Sequence, residues 1–152
     1  MRITFFKMVE DRLSYWEAVR GKRTRIPGTP MALGRGGMPH DLLQLLVEGT
    51  VGIDDGFWGS VAAGATFRST GRKRTKPGRA VIAQNRGGID RAEHVVGEHL
   101  RRWTHGEPTP CAEVLNFYAG RWVALDDGEG LTIDWPSLTF LRTVESAGSP
   151  VR

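Results

Sequence analysis

The spacing of apolar side chains changes repeatedly along this chain, and each change marks an element. Residues 2 to 9 and 13 to 20 are β-branched and aromatic runs, the second alternating Leu13, Tyr15, Glu17 and Val19 against Ser14, Trp16, Ala18 and Arg20. A period of two with these residue types predicts two strands, and the polar break Glu10-Asp11-Arg12 predicts a hairpin. Residues 21 to 37 contain Gly21-Lys22-Arg23-Thr24-Arg25-Ile26-Pro27-Gly28 and Gly34-Arg35-Gly36-Gly37, a composition that predicts a loop. Pro39 and Asp41 then suit a helix start and Gly49 a stop, giving a helix over about 39 to 48. A short helix over 57 to 63 is expected to follow, capped by Asp54 or Asp55 and ended by Gly64.

Residues 65 to 88 are basic and glycine-rich, with at most a short strand at Ala80-Val81-Ile82-Ala83. Asp90-Arg91-Ala92-Glu93 resembles a capping box, and Ala92, Val95, Val96, His99, Leu100 and Trp103 then recur at helical spacing, so a long helix should run from about 90 to His105-Gly106. Thr109-Pro110-Cys111-Ala112-Glu113 opens another that should end at Gly120. Residues 121 to 125 and 131 to 135, joined by Asp126-Asp127-Gly128-Glu129-Gly130, predict a second hairpin. Residues 138 to 144 suit a strand or short helix. Strands at both ends and helices between them predict an α+β fold, with terminal β-hairpins forming a mainly antiparallel sheet packed against three to four central helices. A chain of 152 residues is the size of one domain, here residues 1 to 145, with 146 to 152 as a flexible tail.

Composition narrows the function classes. No run reaches the 18 or more apolar residues of a membrane span, and Lys7 interrupts the start where a signal peptide needs its apolar stretch, so a cytoplasmic protein is expected. The single cysteine, Cys111, excludes an internal disulfide and suits a reducing compartment. At the first turn of its helix it would gain thiolate character, or else serve as a small buried hydrophobe. Net charge is +4, but residues 56 to 89 contain no acid and seven basic residues, Arg68, Arg72, Lys73, Arg74, Lys76, Arg79 and Arg86. Blocks 1 to 55 and 90 to 152 carry +1 and −4. The basic loop 68 to 79, with Phe67 or Trp58 available for stacking, is a candidate for phosphates of nucleic acid or for an acidic protein partner. Its anion-binding side chains would be Arg68, Arg72, Lys73, Arg74, Lys76 and Arg79, whereas Arg35 from the glycine-rich loop would hold an anionic group of a small molecule at the polar pocket described next. Neither a third dinucleotide-fingerprint glycine nor a Gly-Lys-Ser/Thr accompanies Gly34-Arg35-Gly36.

The strongest hint of chemistry is in the first helix, where His40, Gln44 and Glu48 stand at i, i+4 and i+8 with Asp41 beside them. One reading makes this stripe the solvated edge of a mostly buried helix. The other places a polar pocket between this helix and the long one, which offers His94 and Glu98 four residues apart. Imidazole titrates near neutral pH, so His40 would be the acid-base group, oriented by Asp41 or Glu48 and completed by His94 and Glu98. Nitrogen and carboxylate donors also suit a divalent metal, the one cofactor this set suggests. A small-molecule ligand or reaction fits this reading. His99, inside the apolar stripe, and His105, at the helix end, are secondary candidates. A further alternative leaves Trp58, Trp122 and Trp135 partly exposed at an oligomer interface.

The run Met38-Pro39-His40-Asp41-Leu42 with Leu46-Val47-Glu48, then Asp55-Gly56-Phe57-Trp58-Gly59 and the segment from Trp122 to Trp135, resembles a group of small actinobacterial-type proteins of unassigned activity. Their helix often reads Pro-His-Asp-x-x-His-x-x-Val-Glu, and this chain has Gln44 where the second histidine often stands. The resemblance implies no activity. The His-Asp-x-x-His pattern is also similar to the metal-binding stretch of a ubiquinone-biosynthesis protein family, and glutamine is a poor ligand for a transition metal.

Overall fold

The structure is a computed structural model that describes residues 1–8, 13–70 and 73–146, apart from the side chains of Arg35 and Thr70. Strands β1 (Arg2–Met8) and β2 (Leu13–Arg20) pair antiparallel, Phe5 opposite Trp16 and Ile3 opposite Ala18. The turn that joins them lies outside the described residues. Alternation puts Ile3, Phe5, Trp16 and Ala18 on one sheet face, where all four are buried. The opposite face carries the stacked rings of Phe6 and Tyr15 and a 2.8 Å hydrogen bond between the Thr4 and Thr132 hydroxyls.

Residues 21 to 37 are more ordered than a loop. They supply β3 (Thr24–Pro27) and β4 (Met31–Ala32), both paired to the outer side of β2. Gly21 turns the chain at φ 61, and Ile26 supplies the apolar side chain that buries against Ala18. Gly28 is there for packing, since a Cβ would lie 2.6 Å from the Trp16 indole.

The second hairpin is displaced from the predicted one. Residues 121 to 123 close a helix, and the pair is β5 (Glu129–Asp134) with β6 (Phe140–Glu145). β5 also pairs with β1, so the sheet runs β3-β2-β1-β5-β6, with β4 beside β3 on β2. All six strands pair antiparallel, and the α+β expectation holds.

Four α-helices among the described residues build the other layer: α1 (His40–Val51), α2 (Phe57–Ala62), α3 (Lys76–Thr104) and α4 (Ala112–Val123). α1 is central, and residues 42 to 48 are buried without interruption. It passes Gly49 and stops at Gly52, whose φ of 78 suits a left-handed cap. Gly49 lets Leu138 approach, because a Cβ would come within 2.7 Å of that side chain. α3 overturns two expectations. It begins at Lys76, with Thr75 accepting from the Gly78 amide as N-cap, so Ala80 to Ala83 are helical and the sequence Asp90 to Glu93 lies mid-helix. Its buried stripe is Gly88, Ala92, Val96 and Leu100, four residues apart. Trp58, Trp122 and Trp135 are 0%, 1% and 6% exposed and belong to the core, which removes them as interface residues. No helix among the described residues is long and apolar enough to cross a membrane.

Candidate functional site

The polar stripe of α1 runs inward from solvent. His40 is exposed, Asp41 is half-buried, and Gln44 and Glu48 are buried, so the solvated-edge expectation is corrected. A helix with neighbours on every side has no wet edge, and its polar groups must find partners inside. Gln44 Nε2 donates to Glu48 Oε1 at 2.9 Å. The same carboxylate accepts the backbone amides of Phe57 (Oε1) and Trp58 (Oε2), both at 3.0 Å. Glu48 therefore caps α2, a role expected of Asp54 or Asp55. Gly56 makes room for it, since a Cβ there would lie 2.6 Å from Glu48 Oε1. Asp41 Oδ2 accepts the Trp16 indole N–H at 2.8 Å, and the Asp41 carbonyl accepts that of Trp58 at 3.0 Å.

Burial pushes both carboxyl groups up. For Glu48 the loss of water outweighs its hydrogen bonds from Gln44, Trp58 and Phe57, and the Glu93 charge adds to the rise. For Asp41 burial outweighs the Trp16 hydrogen bond and the His40 charge. Both Glu48 oxygens are engaged by Gln44 and α2, and Asp41 Oδ2 by the Trp16 indole.

The partners proposed for them do not converge on α1. His94 and Glu98 are exposed on α3, and Glu98 is held by Arg102 Nε at 2.9 Å and Arg101 Nη2 at 3.3 Å. Those two arginines hold its carboxyl below the usual range. Among the described residues no three His, Cys, Asp or Glu side chains come together as a metal site. His99 Nδ1 meets the Thr109 hydroxyl at 2.8 Å, and His105 Nδ1 meets the Arg101 carbonyl at 2.9 Å. Cys111 is fully buried, and burial raises its thiol, opposite to the thiolate expectation.

A different cluster is brought together. Arg20, at the end of β2, donates from Nη1 to the Val61 carbonyl at 3.2 Å, which aims it along the C-terminal end of α2. There it lines a pocket of about 480 Å³ with Gly64 and Thr66 after α2 and with Lys73, Thr75 and Gly78 at the start of α3. Lys22 and Arg23 form the turn that follows Arg20, and Arg25 lies on β3. The amide and hydroxyl of Thr29 both donate to the Ser69 carbonyl, at 3.0 and 2.7 Å, which fixes the 68–70 turn against the β3–β4 connection. Lys22, Arg23, Arg25, Arg68, Lys73, Lys76 and Arg79 are exposed. Arg74 is half-buried, and its Nε has no hydrogen-bond partner among the described residues. Arg72 and the side chain of Arg35 lie outside the described residues.

Comparison with models of known protein families, with curated proteins and with solved structures finds no match for this chain.

Arg20, Lys22, Arg23 and Arg25 escape a count of charge by long blocks because residues 1 to 55 sum to +1. A shorter window exposes them: residues 18 to 40 hold five basic residues and no acid. The fold sets this second acid-free stretch against the one at 56 to 89.

Proposed function

We propose that the chain is a binding protein for a phosphate-bearing polymer, a nucleic acid, which it holds on the basic face formed by the β2–β3 turn and the segment leading into α3. The observation that carries this reading is that Arg20 and Lys73, from two stretches without a single acid, line one pocket. Lysine and arginine that neutralise phosphates release condensed counterions, so such binding falls steeply with salt. The pocket accepts one phosphate group between Arg20 and Lys73. The exposed side chains of Lys22, Arg23, Lys76 and Arg79 follow the rest of the backbone as a sequence-independent track. Phe67 and Trp58, considered as stacking platforms, sit half-buried and fully buried, so the reading rests on charge.

Fluorescence anisotropy with labelled single-stranded and duplex DNA and RNA tests it. The logarithm of affinity should fall linearly with the logarithm of salt, by about 0.9 per phosphate contact on duplex DNA. The exposed triple variant Lys22→Glu, Arg23→Glu, Lys73→Glu should weaken binding about 100-fold or more and flatten that slope by about three. Binding indifferent to salt, or unchanged in the triple variant, would rule the reading out.

A further inference from the structure

The two edges of the sheet differ in what can dock on them. β3 presents Arg25 beside Pro27, with Arg23 in the turn just before it, and β4 spans only two residues. Two such edges would repel one another, and Pro27 has no N–H to give. β6 is six residues long and mostly exposed. Its ladder to β5 is regular from Arg142 to Glu145, the irregularity lying at Thr132/Ile133.

Which backbone groups of β6 have no partner among the described residues follows from the ladder. The Ser146 amide donates to the Gly128 carbonyl at 2.8 Å, so hydrogen-bonded pairs alternate from there, and Val144 and Arg142 direct their backbone groups to β5. The N–H and C=O groups of Thr143 and Glu145 therefore point away from the sheet. This edge also borders exposed apolar surface. Among the described residues Phe117, Val123 and Leu141 are the large hydrophobic side chains in solvent. Leu141 is on β6 itself. Phe117 and Phe140 both pack on the Arg121 guanidinium, 4.8 and 4.0 Å from their ring centres, so the α4 surface adjoins the strand.

We propose that a second copy of this chain pairs with β6 antiparallel about a two-fold axis, joining the two sheets into one. With Val144 on the axis, Thr143 of each copy faces Glu145 of the other, and these residues exchange the four free backbone hydrogen bonds. Val144 meets Val144 as the close pair, at about 4.5 Å between Cα atoms. Charge selects this edge and this occupant. β6 carries one arginine and one glutamate, Arg142 and Glu145, and Arg121 lines one pocket with Glu129, whereas the basic face is at the far end of the sheet order. Pairing through β6 therefore keeps the two basic faces apart, and pairing through β3 would press them together.

Analytical ultracentrifugation of the full chain over a wide concentration range tests this. The expected species is twice 16.8 kDa. Thr143→Pro removes an N–H that β5 does not use, so it should leave the fold intact by circular dichroism and return the mass to 16.8 kDa. Val144→Lys places like charges across the axis and should do the same, and it decides alone where the proline variant fails to fold. A wild-type chain that stays at 16.8 kDa at the highest concentration, or a dimer that persists in the folded variants, overturns the proposal.

Discussion

Replacing Glu48 by alanine is expected to lower the free energy of unfolding by about 3–5 kcal/mol, read from the denaturant midpoint at constant slope. Three donors lose their acceptor at once: the Gln44 amide and the backbone N–H groups of Phe57 and Trp58. Each donor left buried without a partner costs about 1–3 kcal/mol, and Trp58 has no route to water. Glu48→Gln keeps the shape but turns an NH₂ toward N–H groups that need an acceptor, so a loss of about 1–3 kcal/mol is expected. The glutamine variant also isolates the titration. Burial holds the Glu48 carboxyl above the ordinary glutamate range, so the folded chain binds this proton more tightly than the unfolded chain does. The contribution is complete below that ordinary range and is lost as pH rises through the raised folded value. Glu48 therefore contributes a fall in melting temperature with rising pH across that window, and the pH profile of Glu48→Gln should lack that contribution. Equal slopes would mean that Glu48 is not the buried carboxylate described here. Asp41, raised by the same cause, retains its own share of the slope.

The first hairpin and the α+β class were legible because a period of two and β-branched residues are local signals, whereas β3 and β4 lay hidden in a segment rich in Gly, Pro and Arg. What it could not give was the third dimension of α1. His40, Gln44 and Glu48 share a face whether that face looks at water or at another helix. Only the position of α1 among its neighbours makes Glu48 a cap for α2. A usable signal was present in Leu42, Leu43, Leu45, Leu46 and Val47, which leave apolar side chains around nearly the whole helix, the mark of burial on all sides. The early start of α3 was hidden for another reason. Two of its buried positions are Gly78 and Gly88, which read as breakers but serve as points of close approach. A Cβ at Gly88 would lie 2.1 Å from the Asp55 carboxyl carbon, and one at Gly78 would lie 2.2 Å from the Thr66 hydroxyl. Glycine's use here is its missing side chain, a property that periodicity counts as a gap.

The basic face depends on the same buried network. α2 is only six residues long, too short to persist without tertiary contacts. Its N-terminal end is fixed by the Glu48 carboxylate and its C-terminal end presents the Val61 carbonyl to Arg20. Gly59 lets the chain before α2 close over it, since a Cβ would come within 1.8 Å of the Asp54 carbonyl oxygen. The acidic residue that made the first helix look catalytic thus positions the element beside the pocket that Arg20 lines.

Trp58→Ala is the second large effect, an expected loss of about 3–5 kcal/mol. The indole is fully buried, packs at 4.8 Å on the Trp16 ring and edge-on at 5.8 Å to Phe5, and donates to the Asp41 carbonyl at 3.0 Å. Removing it opens a cavity between the sheet and α1 and leaves that carbonyl without the indole donor. Trp58→Phe separates the contributions, because it refills most of the volume but restores no donor; it should cost about 1–2 kcal/mol. Coupling is the sharper test. Glu48 and Trp58 meet through the Trp58 amide, so Glu48→Ala and Trp58→Ala remove anchors of one short helix. The double variant should fall short of the sum of the single losses by about 1 kcal/mol or more. Strict additivity in that cycle would show α2 held by independent contacts, and Glu48 would lose its place as the group that sets the helix beside Arg20.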